Sequence, residues 1–234
     1  MGSDLLFLDG CAACKAKSEQ AFCNLPPDTL QLLDQISLAV TYPAHVKLFS
    51  EDQPCRGVFI LCSGKAKVTA SRGGKPLMLR VAESGDVLGL SAAFARRNYE
   101  VNAETLAPSV VRFMKREDFI RFLGSSSDAL ANVMRILSLE YQQALESLRN
   151  LGLLNTATAR IAQLLLNICA DPGEQNEAAS ARFLLTQEQI AQMTATTRET
   201  VTRLLVQLRR DRVIAIRGSN LVIRDRNALE RLAS

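Results

Sequence analysis

The spacing of apolar residues along the chain changes twice. Between about Val46 and Met114, short apolar runs (Gly57 to Leu61, Ala66 to Ala70, Pro76 to Val81, Val87 to Leu90, Ser109 to Met114) alternate with Ser63-Gly64, Arg72-Gly73-Gly74-Lys75 and Ser84-Gly85-Asp86. Glycine permits positive φ at such breaks and short polar side chains satisfy turn backbone, so this region predicts strands joined by tight turns. Turns at this regular interval favour an antiparallel sandwich or barrel. After Gly124 the period lengthens. Ser127 and Asp128 can cap a helix, and Leu130, Met134, Leu137, Tyr141, Ala144, Leu148 and Leu151 then recur at alternating spacings of four and three. A helix packed on its own domain shows such a period. A seam this narrow, with Arg135, Glu140, Gln142, Glu146 and Arg149 off it, better fits a two-stranded coiled coil, which makes this the expected dimer helix.

A second helix is expected after the Gly152 break, from about Thr156 to Cys169, with Ile161, Leu164, Leu165 and Ile168 on one side and Asp171-Pro172-Gly173 as its stop. Glu174 to Ser180 reads as a loop. Thr186-Gln187-Glu188-Gln189 has the form of a capping box, in which the Thr hydroxyl and the Gln side chain satisfy each other's backbone amides. The short helix it starts ends near Met193. After the turn Thr194-Ala195-Thr196-Thr197, another helix begins at Arg198, capped by Thr197 or Thr196. Val201, Leu204, Leu205 and Leu208 form its apolar stripe, leaving Arg198, Glu199, Thr202, Arg203 and Arg209 on the other face. Val213 to Arg217, Gly218-Ser219 and Asn220 to Arg224 then read as strand, two-residue turn and strand. Helix-turn-helix followed by a hairpin is a winged helix.

Charge gives that module a partner. Residues 181–234 carry ten Arg against five Asp or Glu, while the remainder has 18 basic and 19 acidic residues. A basic module on a near-neutral body suggests a polyanion. Arg can donate to O6 and N7 of guanine, Glu can accept from N4 of cytosine, and the first turn of a recognition helix enters the major groove. The competing reading of Glu199 and Arg203, four residues apart, is an intrahelical ion pair.

On these residues the chain resembles a known family. Leu185 to Ala191 and the run Thr197-Arg198-Glu199-Thr200-Val201-Thr202-Arg203-Leu204-Leu205 look like the DNA-binding signature of the cyclic-AMP receptor protein and fumarate-nitrate-reduction regulators. Ala159 to Asn167 resembles the helix leading to the reader, and Ser63-Gly64, Gly85-Asp86 and Leu90 to Phe94 resemble landmarks of the effector-binding β-roll. The resemblance covers nearly all of the chain from about Pro26. It implies an α+β protein: a cysteine-bearing segment (residues 1–25), an antiparallel β-roll sensor domain (26–125), a dimerisation helix (126–153) and a winged helix-turn-helix domain (154–234). It implies Arg198, Glu199 and Arg203 as base readers of a TGTGA-like inverted repeat, with Thr202, Thr197, Thr186 and Gln187 beside them. The expected dimer interface is Leu130, Met134, Leu137, Tyr141, Leu148 and Leu151. Operator DNA, a second copy of the chain and RNA polymerase are the implied partners.

The chain departs from the nucleotide-binding pattern. Leu90 stands where those members place a glutamate for the ribose, and Tyr99-Glu100 where they place an Arg-Ser pair for the phosphate. No cyclic-AMP response is therefore expected, and Arg96 and Arg97 read as a solvated turn. Cys11, Cys14 and Cys23 offer a different input. Oxygen-sensing members hold an iron–sulfur cluster through an N-terminal cysteine group plus one cysteine in the β-roll, and here the internal position is Arg112. The three thiols lie in a segment with little apolar periodicity, so ligation of a cluster or a metal is expected, with Cys55 or Cys62 as fourth ligand, and a mobile tail of idle thiols is the alternative. Cys169 and Cys62 also read as core.

Enzymatic readings find little: His45, the single histidine, has no recognisable partner, and no phosphate-binding glycine loop or nucleophile elbow occurs. No long uncharged apolar run or signal peptide is recognisable, which predicts a cytoplasmic protein without a membrane segment. A protein-binding winged helix is the rival reading from another class.

Overall fold

The computed structural model describes residues 10–11, 21–168, 180–182, 185–217 and 220–233. The chain divides into two compact units, residues 1–75 with 79–142, and residues 76–78 with 143–234.

In the first unit a helix, α1 (Pro27–Ile36), precedes eight strands: β1 (Leu38–Tyr42), β2 (Lys47–Phe49), β3 (Gly57–Ser63), β4 (Ala66–Arg72), β5 (Lys75–Ala82), β6 (Val87–Leu88), β7 (Asn102–Thr105) and β8 (Ser109–Lys115). Between β6 and β7 lies the short helix α2 (Leu90–Ala95), and α3 (Arg116–Ser125) and α4 (Ser127–Leu153) follow β8. The strands form two four-stranded sheets, ordered β1-β8-β3-β6 and β2-β7-β4-β5.

The sequence of β3 shows why two cores form. Val58 to Leu61 is apolar at every position, without the alternation of a half-exposed strand, because the strand is covered on both faces. Phe59 and Leu61 join Phe49, Ala66, Val68, Leu88, Tyr99, Ala103 and Val111 in one core. Val58 and Ile60 point the other way, into a core with Leu30 and Leu33 of α1, Phe119 and Phe122 of α3, and Ala129 and Val133 of α4. Gly64, in the turn after β3, is dictated by space as well as by φ, since a Cβ there would stand 2.2 Å from Ser109 Oγ. The predicted runs correspond to β3, β4, β5, β6 and β8. Six elements of this unit were not anticipated, β1, β2, β7, α1, α2 and α3, because they are short or mixed in polarity and are held by neighbours distant in sequence.

In the second unit α5 (Ala157–Ile168), β9 (Ser180–Arg182), α6 (Gln187–Met193), α7 (Arg198–Arg210), β10 (Ile214–Arg217), β11 (Asn220–Ile223) and α8 (Arg226–Ala233) follow α4. The sheet is three-stranded, ordered β10-β11-β9, so Ser180, assigned to a loop from sequence, begins a strand. Three residues are too few to display a period. The missed α8 buries only Leu229 and Ala233, and Asp225 Oδ1 caps it by accepting from the Ala228 N–H at 2.8 Å. Ile161, Leu165, Ile190, Val201, Leu204, Leu205, Leu208 and Leu221 make one core across these helices and strands. The hairpin turn Gly218-Ser219, the stop Asp171-Pro172-Gly173 and Cys169 lie outside the described residues.

Candidate nucleic-acid interface and sensor sites

The predicted cap of α6 forms in full: Thr186 Oγ1 accepts from the Gln189 N–H at 3.2 Å, and Gln189 Oε1 accepts from the Thr186 N–H at 2.7 Å. Thr194 ends the helix, its buried hydroxyl donating to the Ile190 carbonyl at 2.7 Å. Ala195 turns the chain at φ 49°. Thr197 then caps α7, accepting from the Thr200 N–H at 3.3 Å. With Val201, Leu204, Leu205 and Leu208 buried, Arg198, Glu199 and Arg203 are exposed at the start of α7. Thr202 Oγ1 lies 2.5 Å from Gln187 Oε1 and ties the two helices together.

Arg198 and Arg203 have no ion pair among the described residues, so the Glu199–Arg203 pair considered from sequence does not form. The backbone N–H at the helix start, the Thr197 hydroxyl and then Arg198 hold the Glu199 carboxyl below its usual range. Two guanidiniums and one ionised carboxylate, the latter held by the helix start and the Thr197 hydroxyl, are therefore exposed on this face. Sequence reasoning missed one supporting residue. Arg160 donates through Nε to the Thr194 carbonyl at 2.8 Å and through NH1 to the Leu154 carbonyl at 3.0 Å, fastening the turn between α6 and α7 to the chain preceding α5.

Along α4 the expected seam divides. Leu130, Met134, Tyr141 and Leu148 are exposed, with Leu139 and Leu145 beside them. Leu137 instead packs against the first unit's own core, and Leu151 is half-buried.

In the β-roll, Leu90 is buried at the start of α2, and Tyr99 is buried in the core between the sheets. Its ring stacks on Phe49 with centroids 4.1 Å apart, and its hydroxyl donates to the Gly57 carbonyl at 2.8 Å. Gly89 accommodates that ring, since a Cβ would come within 2.9 Å of it. Glu100 accepts a hydrogen bond from Ser91 Oγ at 3.1 Å. At the position corresponding to the phosphate contacts the chain thus places a buried phenol and a carboxylate. Arg96 and Arg97 are exposed at the end of α2.

Cys11 and Cys23, expected to lack a face to bury, are both enclosed in the core beneath α1 and α3. That face is supplied by other elements, which is why the local sequence does not show it. Asp34 Oδ2 accepts from the Cys11 N–H at 2.7 Å, and Asp34 Oδ1 lies 2.6 Å from the guanidinium of buried Arg112. Burial pushes the Cys11 thiol well above its ordinary range, against a smaller lowering by Arg112. Cys14 lies outside the described residues, and Cys55 and Cys62 are half-buried. Among the described residues, which leave out Cys14, no group of three or more His, Cys, Asp or Glu is placed to hold a metal ion. No helix among them is long and apolar enough to cross a membrane.

Residues 39–126 match the cyclic nucleotide-binding domain, and residues 159–232 match the Crp-like helix-turn-helix domain. The chain is 25% identical over 186 residues to the cAMP-activated global transcriptional regulator CRP of Pasteurella multocida, covering 78% of this chain and 88% of that protein. It is 25% identical over 215 residues to the CRP-like cAMP-activated global transcriptional regulator of Mycobacterium tuberculosis, covering 91% and 95%. The structure of FixK2 from Bradyrhizobium japonicum superposes with a TM-score of 0.71 over 85% of this chain and 98% of that one, at 22% identity. With a cyclic-nucleotide-binding-like β-sheet domain, a long helix and a helix-turn-helix joined in this order, the chain belongs to the family of cyclic-AMP receptor protein and fumarate-nitrate-reduction regulators, DNA-binding regulators of transcription.

Proposed function

We propose that the chain acts in the cytoplasm as a homodimer that reads an inverted repeat with TGTGA-like half-sites and passes a signal from the β-roll unit to the promoter. The observation that carries this reading is the exposed trio Arg198, Glu199 and Arg203 on the first turns of α7, where neither guanidinium has an ion pair among the described residues. Thr186, Gln187, Thr197 and Thr202 hold those turns or flank them. Two guanidinium forks and an ionised acceptor suit guanine and cytosine edges. The strip of Leu130, Met134, Tyr141 and Leu148 supports pairing of two α4 helices, which sets two recognition helices about one DNA turn apart. RNA polymerase is the partner through which bound protein acts. The relatives are regulators and not enzymes, and no catalysis is proposed.

The signal enters the first unit, as a small molecule in the β-roll or as an oxidant at Cys11, Cys14 and Cys23. Tyr99 and Glu100, standing in place of a cation and a hydroxyl, argue against cyclic AMP.

Arg198→Ala tests the DNA reading. It is exposed, so folding is retained, and affinity for a TGTGA inverted repeat should fall by about 1–3 kcal/mol while binding to random duplex changes little. Equal loss on both DNAs in a fluorescence-anisotropy titration would reduce Arg198 to a phosphate contact.

A further inference from the structure

Tyr99 occupies one part of the space between the two sheets but leaves another open. A cleft of about 500 Å³ is lined by Tyr42, Leu48, Phe49, Phe59, Tyr99 and Phe113, with Gln53, Pro54 and Arg56 also in its wall. Its size is that of a small-molecule site. The segment between β2 and β3 supplies Gln53, Pro54 and Arg56 to its wall; of the positions of the family's nucleotide contacts, Tyr99 lines it and Leu90 and Glu100 do not.

The walls are aromatic and set at angles to one another. Phe49 and Phe59 have ring centroids 5.4 Å apart at 35°, and Phe59 and Phe113 are 5.0 Å apart at 50°. Tilted rings of this kind offer both faces and edges to a further planar ring. Among the lining residues one is charged, Arg56, and it is exposed with no carboxylate partner among the described residues. The Tyr99 hydroxyl is committed to the Gly57 backbone and is not available to a ligand. An apolar aromatic chamber with a single unpaired guanidinium is complementary to a flat apolar body that ends in one anionic group. A nucleotide, with ribose hydroxyls to satisfy, is not matched by these walls.

We propose that this cleft is the effector site of the β-roll and that it takes a small planar aromatic carboxylate, its rings among Phe49, Phe59 and Phe113 and its carboxylate on Arg56. This deepens the proposed function and rests on its reading of the first unit as the sensor. Because Phe49 also stacks on Tyr99 and Phe59 sits on β3, whose opposite face packs on α4's core, ring insertion bears directly on the elements beneath the dimer helix.

The test uses the full-length protein in isothermal titration calorimetry with 2-naphthoate, its uncharged analogue 2-naphthamide, and decanoate as an acyclic acid. Saturable binding of 2-naphthoate is expected, weakened about tenfold or more by Arg56→Gln, by exchange of the carboxylate for the amide, and by the acyclic acid. Arg56 is exposed, so the Gln variant keeps its fold, and circular dichroism verifies this. Leu48→Trp, which fills the cleft from its wall, should abolish binding. Absence of saturable 2-naphthoate binding, equal binding by wild type and Arg56→Gln, or tighter binding of decanoate overturns the proposal. Anisotropy with the TGTGA repeat on the same samples separates the two readings: intact DNA binding with any of those results sinks the ligand site alone, whereas lost wild-type DNA binding sinks the regulator reading.

Discussion

Two residues of the first unit carry the clearest titration behaviour. Burial keeps the Cys11 thiol protonated in the fold to a pH well above its ordinary value of 9.0, and burial together with the neighbouring Cys55 pushes the Tyr99 phenol from 10.0 up to about 12. For both groups the folded protein holds the proton more tightly than the unfolded chain. Their contribution to stability is therefore complete below the unfolded value and is lost as pH rises toward the folded one. The unfolding free energy of the wild type, measured by urea denaturation, should accordingly decline above pH 9, by up to about 1.4 kcal/mol per pH unit for each group released. Cys11→Ala lowers the baseline but should flatten this decline between pH 9 and 10. A variant with the wild-type slope would show that the thiol is not shielded. Neither effect was legible in the sequence. Cys11 and Cys23 have no apolar pattern around them, and Tyr99 was read only as an absent phosphate contact, because the Phe49 ring it stacks on stands 50 residues away in the chain.

At the scale of elements, legibility followed how local the cause was. The limits of α6 and the start of α7 could be read because each carries its own cap, and β3, β4 and β5 because runs and turns alternate cleanly. The strands β2 and β7 have three and four residues and depend on pairing, β2 with β7 and β7 also with β4, so their sequences alone carry little signal. The fastening of α4 was equally hidden. Arg80 of β5 lies 2.7 Å from Asp86 Oδ2 through NH1 and 2.7 Å from Glu140 Oε1 through NH2, joining the sheet to the helix. Asn132 Nδ2 donates to the Phe22 and Asn24 carbonyls at 3.1 and 2.9 Å and adds a second tie. Arg80 and Glu140 are partly shielded, so their interaction should exceed that of an open surface pair and reach about 1 kcal/mol. A double-mutant cycle of Arg80→Gln and Glu140→Gln by urea denaturation should return that coupling energy. Additive losses would mean that the bridge contributes nothing to holding α4.

For the whole molecule the exposed strip on α4 is the feature a single chain does not account for. Met134, Tyr141 and Leu148 are each about three-fifths to two-thirds exposed, and Leu139 and Leu145 add to the same helix. A monomer would present this apolar surface to water over several turns, while a second α4 at coiled-coil spacing would cover it. Leu137 of the expected seam is half-buried and also packs on its own unit, so a charge there would disturb the sensor unit as well as association. Leu148, exposed and without a role in either core, isolates the question. In Leu148→Glu the paired helices would bring two carboxylates together in a desolvated seam, a cost of several kcal/mol that the exposed single chain does not incur. Sedimentation velocity should then show a folded monomer. A full inverted repeat engages two recognition helices at once, and losing the second removes its effective-concentration gain, so affinity should fall on the order of 10²-fold while an isolated half-site is bound as before. A variant that remains dimeric with unchanged operator affinity would place the subunit contact elsewhere than on α4.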